Sequence, residues 1–268
     1  MHKLYTDFIP FVKSYGGDVN EYLSGFLLGL VQGLTEFLPV SSSGHLALME
    51  YLGVGSSSVA FHLALHLSTL LAVVVVFRKD LVWLLGHPLS KEARFLLVAT
   101  VPTALCAAAI RYFVPQTAEY LPTAFLATSV LLLLPSVCQR GVCDYLGKGW
   151  IGRAVFVGLA QGLACFNGVS RSGATVSAGY LVGMGENSGK YSFLLSVPII
   201  VGSAAVEAIG GGFGTLPVGG TIVGVVTAFS VGIFAIKGFL KVLKKKKLFL
   251  FSIYTFFLSV ASFLILFI

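Results

Sequence analysis

Residues 29–44 read GLVQGLTEFLPVSSSG, and residues 158–173 read GLAQGLACFNGVSRSG. The two stretches align without a gap at an offset of 129 residues and are identical at 10 of 16 positions. Each one begins as an apolar run and ends in a break that contains Pro39 or Gly168, followed by serines. Agreement of this extent indicates an internal duplication, with repeat units at approximately residues 21–138 and 150–268.

The composition places the chain in a membrane. Of its 268 residues, 56% are hydrophobic and only 11% are charged, and the mean hydropathy is +0.92. A soluble protein carries about 25% charged residues. We therefore expect an all-α integral membrane protein that forms a single membrane domain over residues 1–268. The net charge of +7 lies in short clusters between apolar runs, so it does not indicate nucleic-acid binding.

Six apolar runs are long enough, or nearly so, for the about 20 helical residues that cross a hydrocarbon core. They predict transmembrane helices at residues 59–77, 93–113, 121–138, 191–209, 217–236 and 248–268. Two other regions consist of short apolar pieces on either side of a polar break, at residues 22–38 with 45–54 and 151–166 with 174–184. Non-helical backbone survives at membrane depth only where protein or a wet cavity shields it. These two regions are therefore predicted to be re-entrant helix hairpins.

Each repeat unit then contains one hairpin and three spans. Because three is odd, the second unit is expected to lie upside down relative to the first, as in inverted-repeat transporters. The basic residues agree, since they follow the first, third and fifth spans: Arg78, Lys79, Lys91, Arg94, Arg140, Lys148, Arg153, Lys237, Lys241 and Lys244 to Lys247. The alternate connections carry only Glu119. The positive-inside rule places both termini outside the cytoplasm, with the first hairpin entering from the outer face.

Two charged residues inside apolar segments, Glu36 and Arg171, indicate a functional site. An ionised residue at the bilayer centre costs about 2.5–3.5 kcal/mol on insertion scales, so Glu36 and Arg171 require a reason to be there. Glu36 aligns with Cys165 in the other repeat and Arg171 aligns with Ser42, so the two copies have diverged where charge matters. If the hairpin tips meet, one pocket would contain Glu36, Ser41, Ser42, Ser43, Gly44, His45, Ser170, Arg171, Ser172 and Gly173. Helix N-termini and arginine bind phosphate, and serine, histidine and carboxylate can act on it.

These motifs are recognisable. Residues 32–45 (QGLTEFLPVSSSGH) and 168–175 (GVSRSGAT) resemble the two signature motifs of the undecaprenyl pyrophosphate phosphatase family, of the bacitracin-resistance type. The resemblance extends over nearly the whole chain. It implies a plasma-membrane enzyme that hydrolyses a polyprenyl diphosphate to the monophosphate with a divalent cation, Mg²⁺ or Ca²⁺. Such an enzyme recycles the lipid carrier of cell-envelope glycans, with membrane lipids around it. Whether the chain also forms a homodimer is left open.

The resemblance also implies roles for individual residues. Gln32 and Glu36 match the family's cation-binding pair, Ser42 its proposed nucleophile, His45 its essential histidine and Arg171 its essential arginine. Substrate contacts are expected from Gln32, Ser41, Ser43, Gly44, Ser170, Ser172, Gly173 and Thr175. The sequence departs from the family pattern in two places, since Gln32 is the neutral option in the pair and Asn167 replaces a proline.

Several alternatives stay open at this stage. The attacking group could be Ser42, His45 or an activated water, and His45 could instead protonate the leaving group. A transporter or flippase of a polyprenyl phosphate would suit the same scaffold. The serine–histidine run beside a carboxylate in only one repeat favours the phosphatase, because a carrier needs no nucleophile. We interpret His62 and His66 as polar lining or packing residues of the first span.

Overall fold

The computed structural model describes residues 20–55, 58–115, 117–137, 149–210, 218–245 and 247–268. Its regular structure within these ranges is helical throughout. The α-helices are α1 (Glu21–Thr35), α2 (Ser42–Tyr51), α3 (Val59–Val76), α4 (Arg78–Gly86), α5 (Lys91–Phe113), α6 (Leu121–Val137), α7 (Trp150–Leu163), α8 (Arg171–Leu181), α9 (Asn187–Gly210), α10 (Val218–Lys244) and α11 (Phe249–Phe267). A short 3₁₀ turn, Ala118–Tyr120, precedes α6.

The six predicted spans are confirmed as helices long and apolar enough to cross a membrane, namely α3, α5, α6, α9, α10 and α11. The fifth predicted span is too short, because α10 continues from residue 236 to Lys244 and carries Lys237 and Lys241 on its last turns. The continuation buries Phe239 and Leu243 in the largest core cluster. Parts of the sequence predictions lie outside the described residues: residues 1–19 of the domain, Cys138, Arg140, Lys148 and Lys246, and residues 211–217.

The two breaks have a local chemical cause. α1 ends at Thr35, ahead of Pro39, which lacks an amide donor and disfavours helical backbone at the residue before it. α2 and α8 then begin at Ser42 and Arg171, three residues earlier than predicted, because Ser41 and Ser170 cap them. These cap hydroxyls accept hydrogen bonds from the amides of the third helical residue of each helix, at 3.3 and 3.1 Å. Ser42 and Arg171 are thereby placed on the first turn of a helix.

Small residues let the two halves interlock. Gly25, Gly29 and Gly33 on α1 face Gly220, Gly224 and Ala228 on α10 in the same order, so these two helices run parallel and in close contact. A methyl group added at Gly29 would lie 2.8 Å from the Cα atom of Gly224, too close for any side chain. In the same manner Gly158 and Gly162 of α7 face Ala99 and Thr103 of α5.

The first helix of each broken pair therefore packs on a span of the other half, α1 on α10 and α7 on α5. Ser129 of α6 and Ser252 of α11 add a reciprocal contact, since each hydroxyl donates to the other's carbonyl oxygen at 2.9 and 2.8 Å. The halves are bound to each other through these exchanged contacts, and the breaks are held between them. The re-entrant placement of the breaks and the inverted orientation of the two units remain predictions from the sequence.

Candidate active site

The two breaks meet. The amide of Gly168 in the second break donates to the Ser43 hydroxyl beside the first, at 3.3 Å. The Ser172 hydroxyl donates to the carbonyl oxygen of Leu38 at 2.9 Å. The Arg171 guanidinium forms an ion pair with the Glu36 carboxylate. Residues about 130 positions apart in the chain are thus in direct contact.

Glu36 is the centre of this site. Its side chain is only 3% exposed, and a carboxylate buried in an apolar environment is costly unless charged and hydrogen-bonding groups surround it. One carboxylate oxygen accepts from Arg171. The other accepts from the Ser42 hydroxyl at 2.5 Å and from the Gln32 amide nitrogen at 3.0 Å. The Glu36 carboxylate therefore touches both a serine hydroxyl and a guanidinium directly.

A cavity of about 600 Å³ opens beside Glu36. Its inner end is polar, with Ser42, Arg171 and the serines that flank them on the wall. Most of the remaining wall comes from α5 and α9 and is mostly apolar, and the rest is formed by Thr35, His66, Ala164, Cys165 and Val169. Predicted site residues on this wall are Glu36, Ser41, Ser42, Ser43, Ser170, Arg171 and Ser172. A pocket with this layout suits a ligand that is ionic at one end and apolar elsewhere.

Other predicted site residues do not line the cavity. Gln32 is fully buried behind Glu36. The amides of Gly44 and Gly173 donate to the cap hydroxyls instead of facing the cavity. Thr175 donates to the Arg171 carbonyl oxygen at 2.8 Å and is hydrogen-bonded to Ser192. These four residues support the groups on the wall, and their predicted contacts with substrate remain predictions.

His45 is also absent from the cavity wall. Its Nδ1 donates to the Ser41 carbonyl oxygen at 2.7 Å, because a carbonyl can only accept. In the neutral ring Nε2 is then the acceptor, and it lies 2.7 Å from the Tyr254 hydroxyl. The imidazole and the Tyr254 ring are nearly parallel, with 7° between their planes and 5.8 Å between their centroids. In this geometry His45 holds the first break against α11, and its catalytic role remains a prediction.

His66 was interpreted from the sequence as a lining or packing residue, but its position is more specific. It lies on the cavity wall with Nε2 3.8 Å from Glu36. Its Nδ1 is 2.8 Å from the His62 carbonyl oxygen, which fixes the direction of the ring. His62 itself pairs with Glu50, at 2.7 Å. The histidine spacing of one helical turn was visible in the sequence, but nothing there showed which ring faces Glu36.

The donor set beside Glu36 suits a hard divalent cation. Glu36, Ser42 and Gln32 supply carboxylate, hydroxyl and amide oxygens, the ligand types that Mg²⁺ and Ca²⁺ prefer. The Gln32 amide oxygen is buried without a hydrogen-bond partner in the described part of the chain, an orphan that a cation would satisfy. No group of three or more His, Cys, Asp or Glu side chains able to hold a metal occurs among the described residues. A cation here would therefore take further ligands from phosphate oxygens and water.

Comparison with known proteins gives matches over most of the chain. Residues 25–261 match the family model described as bacitracin resistance protein BacA. The undecaprenyl-diphosphatase of Desulfosudis oleivorans is 38% identical, over 89% of this chain and 96% of its own length. That of Rubrobacter xylanophilus is 39% identical, over 92% and 99%, and that of Carboxydothermus hydrogenoformans is 37% identical, over 87% and 93%. The chain belongs to the BacA family of bacitracin resistance proteins.

Proposed function

We propose that this chain is an integral membrane phosphatase that hydrolyses an undecaprenyl-type polyprenyl diphosphate to the monophosphate and inorganic phosphate. Such an activity recycles the lipid carrier of cell-envelope glycan synthesis. The observation that carries the proposal is the direct contact of Ser42, Glu36 and Arg171 at the polar end of an otherwise apolar cavity. Relatives named undecaprenyl-diphosphatase align over almost their full length, which supports the phosphatase and does not favour the transporter alternative.

The proposed chemistry follows from the contacts. Ser42 Oγ attacks the terminal phosphorus as its proton passes to Glu36, which already accepts that hydrogen bond. The bond between the terminal phosphorus and the bridging oxygen breaks, and polyprenyl monophosphate leaves. Water then hydrolyses the phosphoserine, giving inorganic phosphate and restoring the Ser42 hydroxyl. Arg171 and the N-termini of α2 and α8 stabilise the charge on the transferred oxygens.

A divalent cation completes the proposed site. Glu36 and Gln32 would hold it, and when bound it would neutralise part of the diphosphate charge. Ser41, Ser43, Ser170 and Ser172 are proposed to contact the phosphate oxygens, since the structure places them on the cavity wall.

Removal of the cation provides the first test of this function. We expect purified protein in detergent to release phosphate from a polyprenyl diphosphate in Mg²⁺ or Ca²⁺, to stop in excess EDTA, and to recover when the cation is restored. Phosphate is measured colorimetrically, and circular dichroism checks that the chelated protein stays helical. Release that continues undiminished in EDTA would remove the cation from the proposal. A folded preparation that binds the lipid but releases no phosphate would favour the carrier alternative.

The nucleophile is tested by Ser42→Ala. We expect turnover to fall by about a thousandfold, because the mutant lacks the oxygen that attacks phosphorus. Acid-quenched wild-type protein incubated with substrate labelled in the terminal phosphate should carry label, and the variant should not. The matched control is Ser68→Ala. Ser68 is a buried serine whose hydroxyl donates to the Val225 carbonyl oxygen at 2.7 Å, and it does not line the cavity. A Ser42→Ala enzyme within about tenfold of wild type would instead indicate attack by water.

We also propose that the cavity opens to the outer face of the plasma membrane. The support is the basic-residue pattern, which places the α5–α6 connection outside. In a cysteine-free background, Glu119→Cys should react with a membrane-impermeant maleimide in intact cells, and Lys91→Cys should react only after lysis. Both side chains are exposed. The reverse pattern would invert the proposed topology.

A further inference from the structure

Two ion pairs lie at the same cavity, one buried and one exposed. Arg171 pairs with the buried Glu36. Arg111, also on the cavity wall and 64% exposed, lies 3.7 Å from Glu207. Both pairs join the two repeat units: Glu36 and Arg111 belong to the first, and Arg171 and Glu207 to the second. Each guanidinium thus faces a carboxylate that an incoming anion would have to displace.

Much of the wall that carries Arg111 comes from α5. The residues that line the cavity from this helix are mostly small or apolar: Thr100, Ala104, Ala107, Ala108, Ile110 and Arg111. Opposite them, α9 contributes Ile199, Ser203 and Val206, the last of these adjacent in sequence to Glu207.

Exposure separates the roles of the two arginines. The Arg171 side chain is 20% exposed, whereas the Arg111 side chain is 64% exposed. Arg171 is joined through Glu36 to the Ser42 hydroxyl, the proposed nucleophile. Arg111 pairs instead with Glu207 at the exposed part of the cavity, which we call its mouth, where an arriving headgroup would meet it first.

Resting on the phosphatase function proposed above, we infer that Arg111 is a first binding station for the diphosphate headgroup of the lipid substrate and that Glu207 is its competitor. Arg111 exchanges its pairing with Glu207 for the substrate's phosphate oxygens, and the headgroup then passes to Arg171.

The electrostatics of the mouth favour this exchange. The side chains of Arg111 and Glu207 are 64% and 30% exposed, and their nearest atoms are 3.7 Å apart. A pair this open to water is weak. A diphosphate offers more negative charge than one carboxylate and can accept two parallel hydrogen bonds from a guanidinium. The inner pair differs, because Glu36 is buried and also binds Ser42 and Gln32. The headgroup therefore contacts the weak Arg111–Glu207 pair first and the stronger Arg171–Glu36 pair second.

Kinetics test the station directly. For farnesyl diphosphate in detergent micelles, we expect Arg111→Gln to raise KM by about tenfold with kcat within about twofold, because only binding before the chemical step is lost. Glu207→Gln should lower KM, since it removes the competitor. The control is Lys190→Gln at the opposite end of α9, where Lys190 pairs with Asp80 at 2.5 Å, also across the two units. An unchanged KM in Arg111→Gln, or a loss confined to kcat, would overturn the proposal.

A second measurement does not depend on hydrolysis. Cys165 lines the cavity near its inner end, and in a variant with the other three cysteines replaced by serine it reports on access. The probes are an anionic and a cationic methanethiosulfonate reagent of similar size, and the readout is the ratio of their labelling rates. We expect Arg111→Gln to lower the anion-to-cation ratio by about threefold or more, Glu207→Gln to raise it, and Lys190→Gln to leave it unchanged.

The two measurements separate the possible failures. A ratio that stays constant in both Arg111→Gln and Glu207→Gln overturns the anion station whether or not the protein is a phosphatase. If the labelling ratio shifts as expected in the two variants but the wild-type protein releases no phosphate, the result supports an anion-selective mouth and contradicts the proposed phosphatase activity. Because Arg111 is largely exposed, its variant is expected to fold, and retained thermal stability in detergent confirms it.

Discussion

Replacement of Glu36 by glutamine is expected to lower phosphate release by about a thousandfold or more while the protein stays folded. The carboxylate accepts the Ser42 hydrogen bond and pairs with Arg171, so its loss removes both the proton acceptor and the anchor of the guanidinium. It also removes the only carboxylate among the predicted cation ligands. General-base catalysis alone is worth about a hundred to ten thousandfold in rate. Glutamine keeps the size of the side chain, so no cavity forms.

The measurement is single-turnover phosphate release, with enzyme in excess of the lipid and the cation at saturation. Glu50→Gln is the matched control, since Glu50 is a partly buried carboxylate that pairs with His62 at 2.7 Å and does not line the cavity. Equal losses in the two variants would indicate general destabilisation. Near wild-type turnover in Glu36→Gln would contradict the assignment of Glu36 to the reaction.

Replacement of Arg171 by lysine is expected to lower kcat/KM by about a hundred to a thousandfold. Lysine keeps the positive charge beside Glu36 but presents a single ammonium group in place of a planar fork. The fork is what can hold two oxygens of a transferred phosphate together with Glu36, and loss of one such transition-state donor costs about a hundred to a thousandfold. Arg171→Ala is the poorer test, because it leaves a buried carboxylate unpaired, a loss of about 3–5 kcal/mol of stability.

The comparison for Arg171→Lys is Arg153→Lys, on α7 and away from the cavity wall. Steady-state kinetics and a thermal melt of both variants separate catalysis from folding. Full activity in Arg171→Lys would show that charge alone suffices at this position. A lowered melting temperature with unchanged kcat/KM would assign Arg171 to stability.

Much of this architecture could be predicted because membrane burial constrains sequence strongly. A helix in lipid satisfies its own backbone hydrogen bonds, so a span is recognisable from about 20 apolar residues alone. The repeat, Pro39 and the serine runs located both breaks. Helix ends were less accurate: α10 continues to Lys244, and α2 and α8 begin three residues earlier than predicted. Local polarity suggested loops there, but core packing by Phe239 and capping by Ser41 and Ser170 extended the helices.

Glu36 and Arg171 could be selected from the sequence because a charged group in an apolar segment is costly. Ser42 was selected because it matches the proposed nucleophile of the family that the motifs resemble. The contributions of other residues could not be deduced, since they depend on contacts between distant segments. Tyr254 is 209 residues from His45, and the hydrogen bond between them, with the ring of His45 turned away from the cavity, has no local signal. The same holds for His66, whose position beside Glu36 depends on how α3 packs against the first break.

The sequence by itself determined that the chain is helical, that six helices are long and apolar enough to span a membrane, that two short helix pairs are broken, and which charged residues need an explanation. Hydrophobicity and backbone chemistry act locally, so they can be read along the chain. Only the tertiary structure decided which side chains share the cavity, that His66 lies on its wall and His45 does not, and that Arg111 stands at its mouth. Those outcomes depend on the close approach of α1 to α10 and of α7 to α5, which brings together residues that no local pattern connects.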